Sequence, residues 1–318
     1  MIARITIGFF APLLLACQVQ ADVSARQWLE RMSMASQTLN YTGTFVYQHQ
    51  GRLEAMHIVH AMSDDGERER LISLSGPRRE VLRDNQVVTC ILGDLQSVHV
   101  NKSRPRTPFP GSFPTELMEL EKHYRFELQG EDRVAGRECR VVAVRPRDEL
   151  RYGRRLCVHE DSHLLLRSEL TSPAGESIEQ VMFTAVDFPE AIDEALLLPD
   201  LGGTGYTWNR EPEQRAESGQ EESHWAVFQV PDGFMLTDHS WHQLTADEPD
   251  VEHWVYSDGL ASVSVYIEKA LSRDEYSGMS HRGALNAYGT MTDGYYVTVV
   301  GEVPRETVEM IGKSVHAK

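Results

Sequence analysis

His159-Glu160-Asp161-Ser162-His163 carries the spacing H-E-x-x-H. On a helix that spacing brings two imidazoles onto one face to hold zinc, while the glutamate polarises the metal-bound water. The flanking segments speak against a helix. Arg155-Leu156-Cys157-Val158 and Leu164-Leu165-Leu166-Arg167-Ser168 read as two strands, with Glu160-Asp161-Ser162 as the polar turn of a hairpin on which the rings need not converge. His57 and His60, three apart in another predicted strand, face opposite sides of the sheet and cannot chelate together. Neither pair is taken as a metal site, and neither metal nor cofactor is expected. A nucleophile elbow, a phosphate-binding glycine loop and a Cys-x-x-Cys motif are all missing from the sequence. The reading favoured is therefore a non-enzyme.

Two further groups of residues carry chemistry. Arg145, Arg147, Arg151, Arg154 and Arg155 lie close together, and Arg78, Arg79 and Arg83 form a second group. Guanidinium forks suit bidentate contacts to phosphates or carboxylates, while a charged hairpin edge that discourages strand-to-strand aggregation is an equal alternative. If Pro146 to Leu150 form a hairpin loop, Arg145 opposes Arg151 and the same register sets Cys139 opposite Cys157, within reach of a disulfide. An oxidising compartment favours the bridge, and two packed free thiols are the alternative. Cys90 reads as a buried thiol.

The elements that must position these residues follow from periodicity. Ser24 with Gln27 three residues on is a capping-box pattern, and Ala25, Trp28, Leu29, Met32, Ala35 and Leu39 form an apolar helical stripe. From Tyr41 the period changes to two. Strands are expected at 44–48, 55–61, 70–74, 79–83, 87–92 and 97–100, separated by Gly, Asn and Asp turns, as in an antiparallel meander that curls into a barrel or sandwich. Residues 104–114 hold Pro105, Pro108, Pro110 and Pro114 around Phe109 and Phe113, predicting a stiff loop that displays two rings. A short helix from Thr115 to about His123 and strands at 124–128, 137–145, 151–159, 164–171 and 179–187 complete a first domain over residues 22–199. Residues 200–223 have linker composition. Residues 224–318 form a smaller α+β domain, with strands at 225–230, 251–257, 261–268 and 295–300 and a helix from Pro304.

Composition bounds the function. The 318 residues are 41% hydrophobic and 25% charged, which excludes disorder and a membrane channel. A net charge of -17 argues against nucleic acid. The charge is uneven: residues 206–318 carry 8 basic and 19 acidic side chains, against 22 and 29 in residues 22–205. Arg4, the apolar run Ile5 to Leu15 and the small residues after it form a secretory signal over residues 1–21, with cleavage after Ala21 preferred to a lipidated Cys17. An exported, soluble chain is expected.

Four segments resemble the MucB/RseB family of periplasmic regulators of the sigma-E envelope stress response. They are Trp28-Leu29 in the first helix, Tyr41-x-Gly43-x-Phe45-Val46-Tyr47, the Pro146-Arg147-Asp148 and Arg151-Tyr152-Gly153 hairpin, and the run from Tyr256-Ser257-Asp258-Gly259-Leu260-Ala261 to Val265. The resemblance implies an incomplete antiparallel β-barrel with covering helices, like the lipoprotein carriers LolA and LolB, followed by a small C-terminal domain. It implies binding of the periplasmic part of an RseA/MucA-type anti-sigma factor, protection of that factor from a DegS-type site-1 protease, and release by lipopolysaccharide or lipoprotein acyl chains. A periplasmic lipid or lipoprotein carrier is the alternative, and self-association is left open. On this reading Trp28, Met32, Phe45, Tyr47, Phe109 and Phe113 line or rim a lipid pocket. Arg147, Arg151 and Arg154 meet lipid phosphate, and Trp241, Trp254 and Tyr256 face the anti-sigma partner.

Overall fold

The structure is a computed structural model that describes residues 23–102, 113–114, 117–202, 204–210, 223–242, 251–270 and 277–318. The expected signal segment, Cys17 and Phe109 lie outside the described residues. The chain opens with helix α1 (Ala25–Thr38). Gln27 N–H donates to the Ser24 hydroxyl and Ser24 N–H donates back to Gln27 Oε1, so the capping box satisfies two donors left open by the first turn.

Eleven antiparallel strands follow in one sheet: β1 (Tyr41–His49), β2 (Arg52–Ser63), β3 (Gly66–Ser73), β4 (Arg79–Asp84), β5 (Val87–Leu92), β6 (Ser97–Lys102), β7 (Tyr124–Val134), β8 (Arg137–Pro146), β9 (Gly153–His159), β10 (Leu165–Thr171) and β11 (Ser177–Asp187). Helix α2 (Leu117–His123) precedes β7. The strand order is β6-β5-β4-β3-β2-β1-β11-β10-β9-β8-β7, so β1 and β11 close the two halves of the meander against each other. Strand β12 (Thr207–Arg210) adds to β6 in parallel. Part of the expected linker is thus a sheet edge. The end strands β12 and β7 do not pair with each other, and the sheet remains open.

Alternation along β1 explains its motif. Tyr41, Gly43 and Phe45 face inward, and a Cβ on Gly43 would stand 2.6 Å from the Phe183 ring. Only a glycine lets Phe183 pack edge-on against both Tyr41 and Phe45. Helix α1 crosses the strands. Its first half packs Trp28, Leu29 and Met32 on Tyr124, Val142, Leu156 and Val158, while its end reaches β2 through the Leu39 carbonyl and His60.

The second unit is a six-stranded antiparallel sheet of β14 (Met235–His242), β15 (Val251–Ser257), β16 (Ser262–Lys269), β17 (Gly278–Arg282), β18 (Leu285–Thr292) and β19 (Tyr295–Gly301) in the order β14-β15-β16-β19-β18-β17. Helix α3 (Arg305–Lys313) covers one face with Val308 and Ile311, set among Val263, Val265, Val297 and Val299. Burying each such side chain contributes about 1.5–3 kcal/mol, and together they hold the helix down. Strands β13 (Trp225–Val227) and β20 (Val315–Ala317) pair beside it.

Candidate functional site

The two units meet where the family-like motifs converge. Asp148, in the loop between β8 and β9, accepts the Leu150 N–H at 2.9 Å and the Arg151 guanidinium at 3.1 Å. This local turn pulls Arg151 out of the ladder. The β8–β9 register accordingly pairs Val144 with Arg154 and Cys139 with His159, two residues away from the expected register that put Arg145 opposite Arg151. Cys139 and Cys157 are therefore diagonal rather than opposed. Their Cα atoms are 5.5 Å apart and their sulfurs are bonded.

Arg151 then crosses to the second unit. One guanidinium nitrogen donates to Asp258 Oδ2 at 2.6 Å and another to the Asp232 carbonyl at 2.8 Å, while the Tyr124 hydroxyl donates to the same Asp258 oxygen at 2.9 Å. The other carboxylate oxygen, Asp258 Oδ1, accepts the Leu260 and Ala261 N–H groups, which fixes the turn between β15 and β16. Tyr124 and Phe234 lie on the guanidinium with ring centroids 5.6 and 5.2 Å from its carbon. Burial first, and then the Asp258 charge, push the Tyr124 phenol well above its usual range.

Further contacts extend the junction. Thr307 Oγ1 donates to the Leu150 carbonyl at 2.7 Å, Asn286 donates to the Tyr152 hydroxyl at 3.1 Å, and the Ala284 N–H donates to Glu179 at 3.0 Å. Glu179 also accepts the Tyr47 hydroxyl at 2.5 Å. Gly233 has φ +87 and sits so close to His123 of α2 that a Cβ would fall 2.2 Å from the ring. Neither the backbone angle nor the space suits another residue.

The sites expected from sequence are distributed differently. Trp28, Met32 and Phe45 are packed core side chains rather than walls of an open hollow. Phe113 is only 7% exposed; it closes the core under α1, and its carbonyl accepts the Ser33 hydroxyl, so it is not displayed at a lip. Tyr47 points its hydroxyl toward the junction. Arg151 is fully buried and committed to carboxylates, which removes it from any lipid-facing rim. Arg154 is half-buried near Glu302 and Glu179, whereas Arg147 is exposed. Trp254 and Tyr256 belong to the core of the second unit, and burial pushes the Tyr256 phenol up to about 12. Of the three expected partner contacts, Trp241 alone is exposed, at 39%.

Trp241 stands on β14, an edge strand of its sheet, together with Met235 at 72% exposure and Leu236 at 49%. Among the described residues β14 pairs on one side only, with β15, and these large apolar side chains stand exposed in the acidic second unit. The sequence reading missed β14 because its alternation is broken by Asp238, His239 and His242. The signal that would have found it is Trp241 between two turn-rich segments.

The histidine motif is a turn. His159 ends β9, His163 has φ +60, and His159 Nδ1 lies 2.7 Å from the Ser162 hydroxyl.

The sequence model of the MucB/RseB N-terminal domain matches residues 24–201, and that of the MucB/RseB C-terminal domain matches residues 219–316. The chain belongs to the MucB/RseB family. It is 34% identical to the sigma factor AlgU regulatory protein MucB of Pseudomonas aeruginosa over 95% of this chain and 94% of that one. It is 29% identical to the sigma-E factor regulatory protein RseB of Salmonella typhimurium, over 96% and 94% of the two chains. Among solved structures, MucB in complex with MucA(peri) overlays with TM-score 0.73 at 31% identity, covering 92% of this chain and 99% of that one. A further crystal structure of MucB overlays with TM-score 0.63 at 30% identity, covering 92% and 98%. These relatives are named as regulatory proteins. Among the described residues no helix is long and apolar enough to cross a membrane.

Proposed function

We propose that this chain is a periplasmic negative regulator of a sigma-E type stress response, which binds the periplasmic part of a MucA/RseA-type anti-sigma factor and shields it from site-1 proteolysis. The observation that carries this reading is the near-full-length likeness to MucB solved with MucA(peri), which spans both units and the junction between them.

The surface offered is the exposed edge of β14 with Met235, Leu236 and Trp241, flanked by the acidic excess of the second unit. Such a surface suits an extended partner segment with apolar anchors and basic residues. The test is a binding titration of the purified chain with the anti-sigma periplasmic segment, for the wild type and Trp241→Ala. Tight binding that Trp241→Ala weakens supports the reading, and no binding by the wild type overturns it.

Release by lipopolysaccharide or lipoprotein acyl chains belongs to the same proposal. The face under α1 is filled by Trp28, Leu29, Met32, Phe113 and Leu117, so an acyl chain enters only as α1 and Phe113 lift from the sheet. A ligand that prefers the lifted form lowers the partner's affinity only to the extent that the partner prefers the closed one.

A further inference from the structure

The strongest unassigned chemistry lies in the first unit, where β2 and β3 pair. His60 is directly opposite Glu69, and Glu67 lies on the same face of β3 two residues before it. One ligand atom from each of the three side chains can be chosen so that all lie within 4.8 Å of one another. Among the described residues no other group of three such side chains converges in this way.

The imidazole is held for one task. Its Nδ1 lies 2.7 Å from the Leu39 carbonyl, which can only accept, so Nδ1 carries the hydrogen. Tyr41 stacks on the ring at 4.9 Å between centroids, which sets its plane. Nε2 is thereby aimed at Glu67 Oε1, 3.0 Å away. A nitrogen lone pair and a carboxylate oxygen at that distance require a cation between or beside them, either a proton or a metal ion. A backbone carbonyl fixing one ring nitrogen while the other faces carboxylates is the usual support of a metal-binding histidine.

Glu69 is the third group at this place. It is only 8% exposed, and no hydrogen bond holds its carboxylate among the described residues; burial raises its pKa, against the charges of His60 and Arg83. Without an ion, Glu69 is buried either as an unpaired carboxylate or as a carboxyl that burial keeps protonated. A divalent ion serves all three groups at once. In a tetrahedral set about 2.0 Å from zinc the ligand atoms lie about 3.3 Å apart, so closing the trio around an ion needs only side-chain adjustment.

We propose that His60, Glu67 and Glu69 form a site for one zinc-class divalent cation, with the His60 Nε2 and one oxygen from each glutamate as ligands and a fourth position open to water. The sequence reading expected no metal because it compared histidines within one segment, whereas these partners are brought together across a strand pair. Arg83, opposite Glu69 on β4, competes with the ion for the carboxylate and keeps the site from being a very tight one. A bound ion would fix the ring that holds the Leu39 carbonyl, and so tie the end of α1 to the sheet.

The experiment uses residues 22–318, stripped with EDTA and titrated with zinc sulfate by calorimetry, with metal content counted by mass spectrometry and melting followed by circular dichroism. The expected result is one zinc per chain and a raised melting temperature. Both Glu69→Gln, which keeps the shape, and His60→Ala should bind zinc at least about tenfold more weakly and lose the shift. His242→Ala, in the other histidine cluster, should bind as the wild type does. The proposal is overturned if the folded wild type takes up no zinc, if Glu69→Gln and His60→Ala both bind as tightly as the wild type, or if His242→Ala alone abolishes binding.

Discussion

Arg151 and Asp258 belong to different structural units and meet at 2.6 Å with neither side chain exposed to solvent. Asp148, Tyr124 and the Asp232 carbonyl complete the hydrogen bonds around them, which is what makes a fully desolvated pair tolerable. The pair sets how the two units sit together.

Removing one partner leaves the other buried and uncompensated. Asp258→Ala is expected to cost about 3–5 kcal/mol in urea unfolding, while the double change Arg151→Met with Asp258→Ala costs clearly less than the sum of the two single changes. If the double variant is simply additive, the pair is not coupled as described.

The same variant bears on function. Asp258→Ala loosens the junction without touching β14, and it should weaken anti-sigma binding even at temperatures where circular dichroism shows both units folded. Unchanged affinity would separate partner binding from the docked arrangement.

The strands of the first sheet are legible from residue types almost one by one. Runs such as 87–92 and 137–145 have the β-branched alternation and Gly or Asn turns that fix a strand locally, and Ser24 with Gln27 fixed the helix start. Strands β17 and β18 are not legible because Met279, Ser280, Ala287 and Gly289 have little strand preference of their own and are held by pairing with better neighbours. The site was less legible. Trp28, Phe45, Trp254 and Tyr256 have the composition of an interface and of a core alike, and only burial separates the two. Arg151 looked like part of a surface cluster because the carboxylate that buries it, Asp258, lies far along the sequence.

The Cys139–Cys157 bridge closes a loop with a sequence separation of 18. By the chain-entropy argument, changing both residues to Ser should lower stability by about 3 kcal/mol. Alkylation of the unfolded, unreduced residues 22–318 should label Cys90 alone, and labelling of all three would show that the bridge is not formed.

Mild acid should weaken the first unit. Burial, with a further contribution from Arg70, Arg137 or Arg31, holds His57, His159 and His163 below the ordinary imidazole value of 6.5. The unfolded chain therefore binds more protons just below that value. The stability gained by keeping these rings neutral is complete above pH 6.5 and is lost as pH falls through the lower folded-state values. His159 Nδ1 accepts the Ser162 N–H at 3.3 Å, a bond that protonation breaks. The urea midpoint should drop between pH 7.5 and 5.5, and His159→Gln should make the drop shallower.

The proposed function rests on protection of an anti-sigma factor. The most direct measurement incubates the MucA/RseA-type periplasmic segment with an activated DegS-type protease, with and without an excess of residues 22–318. Cleavage should slow in proportion to the bound fraction, and a diacylated peptide or lipopolysaccharide should restore it while changing Trp28 fluorescence. Cleavage at the same rate with saturating protein present would contradict the assignment.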